Sequence, residues 1–279
     1  MQQDRTDIEA LRVKKARGEK IVMLTAYDAA MASLVEQAGA DVVLVGDSAA
    51  NVVLGYRNTL PVTMDEMVFL TAAVVRGTSR AMAIGDMPFM SYNVDVADAI
   101  RNAGRFVKEA GADAVKLEGG ASVLETVRAF VRAGIPTVGH LGLTPQTATM
   151  IGGYKCQGRT AASARAILDD ALRLEDAGAF MIVLECVPDR LGELISRRVS
   201  APIVGIGAGP GCDGQVLVLH DMLGFGTGRS PKFVRRYGDI GERIRDAVGR
   251  YCEEVRGGAF PAPEHCFSIP DDEWSGVER

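Results

Sequence analysis

The chain has 279 residues, of which 47% are hydrophobic and 24% charged, and a net charge of −5. That bulk is enough for a sizeable core, and a mildly acidic balance leaves no electrostatic footprint for nucleic acid or an anionic membrane surface. The five cysteines, Cys156, Cys186, Cys212, Cys252 and Cys266, contain no CxxC pair, which argues against a disulfide scaffold or zinc knuckle and fits a reducing compartment.

The first twenty residues are charged and lack the apolar stretch of a secretory signal, and no apolar run approaches the roughly 20 residues that span a bilayer. A cytoplasmic protein is expected. Residues 7–17 should form a helix outside the main fold, an N-terminal element of about 6–18. Eight short apolar runs follow: VMLTAY (22–27), DVVLVGDS (41–48), AMAIGDMP (81–88), AVKLEGG (114–120), TVGHLGL (137–143), MIVLECV (181–187), PIVGIGAG (202–209) and QVLVLHDMLG (215–224). They show little polar alternation, as expected of parallel strands covered on both faces. Between them lie amphipathic stretches. Residues 64–76 have Thr63 as N-cap, and 96–110, 122–133 and 161–177 each end at a glycine. The phrases QAGAD (37–41), EAGAD (109–113), RAGIP (132–136) and DAGAF (176–180) read as helix end, glycine cap and entry to the next strand.

Eight strands separated mostly by helices predict an α/β fold, a (β/α)8 TIM barrel of about 21–256, in one domain with the extra N-terminal helix and a tail of about 257–279 whose last dozen residues should be loosely ordered. An open doubly wound sheet is the rival. GIGAGPG (205–211) has glycine spacing of the dinucleotide kind, but a strand rather than a helix should follow it.

In a barrel the chemistry sits at the C-terminal strand ends. Asp47 and Ser48 should end the second strand, Asp86 the third and Glu185 the sixth. Lys116 and Glu118 lie near the end of the fourth and share a face, two residues apart. His140 lies in the fifth. A single aspartate at a strand end is ordinarily a turn or cap residue. Three carboxylates on three consecutive strands need a cation or a proton to relieve their repulsion, and oxygen ligands without cysteine or paired histidine favour Mg2+. Lys116 could hold an anionic oxygen or form a Schiff base. Glu185, between Leu184 and Cys186, is placed to be a general base, and a glutamate bonded to a loop is the plain alternative. His140 could equally be a core histidine. GGYKCQGR (152–159) should be a mobile loop over the mouth.

The ordered set VGDS, LPVT, DMPFMSY, VKLEGG, GHLGLTPQ, GGYKCQGR, LECVP, VGIGAG, DGQVLVLHDMLG and PKF resembles the ketopantoate hydroxymethyltransferase family from about residue 25 to about 267. The resemblance implies 3-methyl-2-oxobutanoate and 5,10-methylenetetrahydrofolate as substrates, 2-dehydropantoate and tetrahydrofolate as products, and Mg2+ as cofactor. It implies Asp47, Asp86 and Glu118 as metal residues, with Glu118 completing or supporting the site. Ser48 and Lys116, beside Asp47, Asp86 and a supporting His140, would face the oxo acid, and Glu185 would be the base. It further implies a homodecamer, a pentamer of dimers. Cys156 departs from the family, which carries an aliphatic residue there. A magnesium-dependent lyase or mutase on another 2-oxo acid, and a non-catalytic binder, remain as alternatives.

Overall fold

The short apolar runs become eight strands in the computed structural model, which describes residues 5–226 and 231–277. They are β1 (Ile21–Thr25), β2 (Val42–Val45), β3 (Met82–Asp86), β4 (Ala114–Glu118), β5 (Thr137–Gly142), β6 (Met181–Glu185), β7 (Ile203–Ile206) and β8 (Gly214–Leu217). All pairs are parallel, and β8 returns to β1 to close the barrel in sequence order. The helices are α1 (Ile8–Arg17), α2 (Ala29–Gln37), α3 (Ala49–Val52), α4 (Met64–Gly77), α5 (Val96–Lys108), α6 (Leu124–Arg132), α7 (Ala161–Asp176), α8 (Asp189–Arg198), α9 (Leu219–Met222), α10 (Ile240–Arg256) and α11 (Asp271–Val277). Among the described residues no helix is long and apolar enough to cross a membrane.

Local rules place these elements. Thr63 caps α4 in a reciprocal box with Glu66, and Asp28 and Asp95 cap α2 and α5 with their carboxylates. The four repeated turns put Gly39, Gly111, Gly134 and Gly178 at φ of 98°, 76°, 78° and 101°, where a side chain would be strained. No helix separates β7 from β8, so the glycine-rich turn after β7 leads straight into a strand.

Alternation along each strand divides the core in two. Outward residues pack under the helices in the larger apolar cluster. Inward residues Ile21, Met23, Val42, Leu44, Met82, Ile84, Ala114, Val138, Met181, Val183, Val204, Ile206 and Val216 fill the barrel itself. Leu11 of α1 is fully buried in that same inner cluster. Hence α1 closes the end of the barrel where the strands begin. Its neighbourhood is fastened by ion pairs from Arg5 to Asp113, Lys14 to Asp41 and Lys15 to Asp213 at 2.6–2.8 Å. Each of these aspartates, just ahead of β4, β2 and β8, also accepts a backbone N–H from the neighbouring strand, at Ala83, Val22 and Ile203.

The outer ring is incomplete at the β8–β1 seam. Val22 on the outer face of β1 is 45% exposed, and no residue of the 17-residue α10 is buried. Helix α11 forms where loose chain was expected and likewise buries nothing. Strand β2 stops at Val45, short of Asp47 and Ser48, because the chain turns there into α3.

Candidate active site

Continuing each inward series by two residues reaches the chemistry. Ile84 is followed by Asp86, Ala114 by Lys116 and then Glu118, Val138 by His140, and Val183 by Glu185. These side chains share the inner face with the apolar plug and lie above it. Register sets them side by side, Asp86 opposite Lys116 and Glu118 opposite His140. Behind Asp86, Gly85 lets the Phe106 ring of α5 approach closely: a Cβ there would lie 2.4 Å from that ring.

A cavity of about 760 Å3 opens at this mouth, lined by Asp47, Ser48, Asp86, Lys116, His140 and Glu185 among others. Lys116 Nζ donates to both oxygens of Asp86 at 2.6 Å. Asp47 adjoins them: its N–H donates to Asp86 Oδ2 at 3.1 Å. Burial pulls the Lys116 ammonium toward neutrality, but Asp86, Glu118 and Asp47 together outweigh it and hold its proton. Burial pushes Asp47 up to about 6, and the Glu118 charge pushes the same way. Asp86 is likewise pushed up to about 6, chiefly by burial, against the pull of Lys116.

His140 stands between two carboxylates, Nδ1 at 3.3 Å from Glu118 Oε1 and Nε2 at 3.2 Å from Glu185 Oε2. Neither approach is aligned as a hydrogen bond, since both ring nitrogens lack a bonded partner. Burial and the Lys116 charge push the imidazole down; Glu118 and Glu185 win, lifting it to about 9. His140 is thus buried with a carboxylate near each ring nitrogen, an environment that favours its protonated form. Ser48 Oγ shares a 2.8 Å hydrogen bond with the Tyr27 hydroxyl.

Glu118 is placed differently from Asp47 and Asp86. Its side chain is 1% exposed and does not line the cavity; Oε2 accepts the Gln146 backbone N–H at 3.0 Å. Among the described residues no three His, Cys, Asp or Glu side chains are set to hold one ion. The expected three-carboxylate ligand set is therefore not assembled here, because Glu118 is turned toward Gln146 and His140. Asp47 and Asp86, adjacent at the cavity wall, still fit Mg2+, which takes one or two carboxylates and completes its shell with water and substrate oxygens.

Sequence reasoning passed over Gln146 and Tyr92. Buried Gln146 donates through Nε2 to Asp47 Oδ2 at 3.0 Å and Met87 O at 2.9 Å, and its Oε1 accepts the Tyr92 hydroxyl at 2.5 Å. Both lie in motifs that carry the resemblance, which was the only signal available for them. The loop 152–159 does lie over the mouth, where Tyr154, Lys155 and Cys156 line the cavity.

The family model described as ketopantoate hydroxymethyltransferase matches residues 5–263. A 3-methyl-2-oxobutanoate hydroxymethyltransferase of Clostridium botulinum (strain 657 / Type Ba4) is 54% identical over 268 residues, covering 96% of this chain and 98% of the relative. One from Syntrophomonas wolfei is 52% identical over 268 residues, covering 96% and 97%. Among solved structures, phosphonopyruvate hydrolase superposes with a TM-score of 0.60 at 15% identity over 98% of this chain and 96% of that one. The 2,3-dimethylmalate lyase, a PEP mutase/isocitrate lyase superfamily member, gives 0.56 at 15% identity over 97% of each chain. These two show the shared barrel alone, whereas the family match and the high identity to curated enzymes establish that the chain belongs to the ketopantoate hydroxymethyltransferase family.

Proposed function

We propose that the chain transfers the one-carbon unit of 5,10-methylenetetrahydrofolate to 3-methyl-2-oxobutanoate, giving 2-dehydropantoate and tetrahydrofolate, with Mg2+ held by Asp47 and Asp86. The observation that carries this reading is the convergence of Asp47, Asp86, Lys116, His140 and Glu185 on one cavity. A bound divalent ion would supply Lewis acidity toward the carbonyl oxygen of the oxo acid. Lys116, kept protonated among carboxylates, faces the anionic end of the substrate, with Ser48 beside it. A lysine held as ammonium is a poor amine nucleophile, which favours this role over a Schiff base. Glu185 takes the proton from C3, with the His140 ring 3.2 Å from its carboxylate. Glu118 supports from behind through His140 and Gln146.

Isothermal titration of 3-methyl-2-oxobutanoate tests the metal assignment. Binding should tighten at least tenfold with Mg2+, and Asp47→Asn or Asp86→Asn should erase that gain. Equal affinity with and without metal would remove the ion from the reading.

The fold also supports a homo-oligomer. Ile244, Val248, Tyr251 and Val255 form one apolar stripe on α10 and are 43–54% exposed, while the β8–β1 seam lacks a covering helix. A second copy of this chain is the occupant that answers both faces, in keeping with the decamer, a pentamer of dimers, that the resemblance implies. Cytoplasmic placement rests on the cysteine pattern.

A further inference from the structure

Two thiols that this reaction leaves idle share the mouth of the cavity. Cys156 sits in the loop 152–159, and Cys186 directly follows Glu185 at the end of β6; both line the cavity, both are half-buried and both are free. The Gln157 N–H donates to the Cys186 carbonyl at 2.9 Å. That bond and standard backbone lengths hold the two Cα atoms within roughly 8 Å, close to the span a disulfide bridges. Cys186 has φ of 50°, a left-handed conformation unusual for a residue with a side chain. Such strain, of order 1 kcal/mol or more, persists where the surrounding structure enforces it. The turn presenting Cys186 is thus a fixed wall, and the loop carrying Cys156 is tied to it by a single backbone bond.

We propose that Cys156 and Cys186 form an oxidisable dithiol, a modification site that reacts with hydroperoxides, and that its disulfide fastens the loop across the mouth beside Glu185. Burial pushes the Cys186 thiol up, with Cys156 and Glu185 adding to it, and Cys156, on the loop at the mouth, is assigned as the sulfur that attacks the peroxide. Its thiolate takes one oxygen of the peroxide, the O–O bond breaks, and water leaves after proton transfer. Cys186 sulfur then attacks the sulfenic sulfur, an S–S bond forms, and a second water departs. Two thiols lose two electrons and two protons, and one hydrogen peroxide becomes two waters. A dithiol of this kind suits a reducing compartment, where such bridges are transient.

The full-length protein treated with one equivalent of hydrogen peroxide tests this. Thiol titration after denaturation should show two of the five cysteines consumed. Tryptic mapping without reductant should show residues 156–159 joined to residues 174–190. Activity should fall in step with that linkage and return with dithiothreitol. Cys156→Val, whatever its basal rate, should lose no activity reversibly, and its Cys186 should stay alkylatable. A bridge to Cys212, Cys252 or Cys266, or no bridge at all, overturns the proposal. Full activity in the linked protein overturns the closure. Thiol count and peptide linkage are read without turnover, so they stand or fall apart from the metal and folate reading.

Discussion

Gln146 shows how much one uncharged residue can organise. A single side chain reaches the carboxylate of Asp47, the carbonyl of Met87 and the hydroxyl of Tyr92, while its backbone N–H holds Glu118. Gln146→Leu strands buried polar partners, each costing about 1–3 kcal/mol. Steady-state kinetics should show kcat/KM lower by roughly 10–100-fold, with circular dichroism unchanged; a wild-type value would show that Asp47 needs no orientation. Glu36 makes the corresponding case for stability. Burial alone would raise it, but N–H groups of Ala81, Arg80 and Ser79 and the Ser79 hydroxyl hold its carboxyl down at about 2. A carboxyl depressed in the folded state stabilises above its unfolded value and loses that contribution as pH falls from about 4.5 to about 2. The amount is on the order of 3 kcal/mol. Urea unfolding of Glu36→Gln should show that loss at pH 7 and a flatter acid limb; a parallel limb would mean Glu36 does not govern it. Neither residue was singled out in the sequence. Asp86, Lys116, Glu118, His140 and Glu185 were legible as candidates because polar residues near the C-terminal ends of otherwise apolar strands interrupt the run. An amide in the turn after β5, or a glutamate on an amphipathic helix, breaks no pattern.

At the scale of elements, α1 acts as a closure for the far end of the barrel. Lys15 Nζ donates to the carbonyls of Ser196, Val199 and Ala201 and pairs with Asp213 at 2.8 Å. Lys15→Met removes the donor from those three carbonyls and the cation from Asp213, which keeps its bonds from the Ser196 hydroxyl and the Ile203 N–H, a change that costs about 1–3 kcal/mol. Denaturant midpoints should fall accordingly, while kcat of the folded protein stays within about twofold because the active cavity is at the opposite mouth. A midpoint near wild type would show that α1 merely rests on the barrel. The helix itself was expected from sequence over residues 7–17, and the structure caps it with Asp7 and ends it at Gly18. Its docking was not, because a helical pattern does not say which surface it covers. The same reason explains α10. Its apolar stripe faces outward, and no residue of it is buried.

Across the whole molecule, the exposed stripe of α10 and the uncovered β8–β1 seam call for a partner surface. If α10 docks on a second copy, Val248→Asp should lower the assembled mass in sedimentation equilibrium; an unchanged mass would place the interface elsewhere. The barrel order was legible because eight apolar runs, glycine-capped helix ends and right-handed crossovers leave few alternatives. The relation of Glu118 to the two aspartates depended on side-chain geometry that spacing does not encode. Enolisation of the oxo acid at this acidic rim, with a divalent ion bound, is the step on which the proposed reaction depends. The direct measurement is deuterium incorporation at C3 of 3-methyl-2-oxobutanoate in heavy water without folate. The account predicts exchange that requires Mg2+ and drops by about 10²–10⁴-fold in Glu185→Gln. Exchange that proceeds equally without metal, or survives intact in Glu185→Gln, would contradict it.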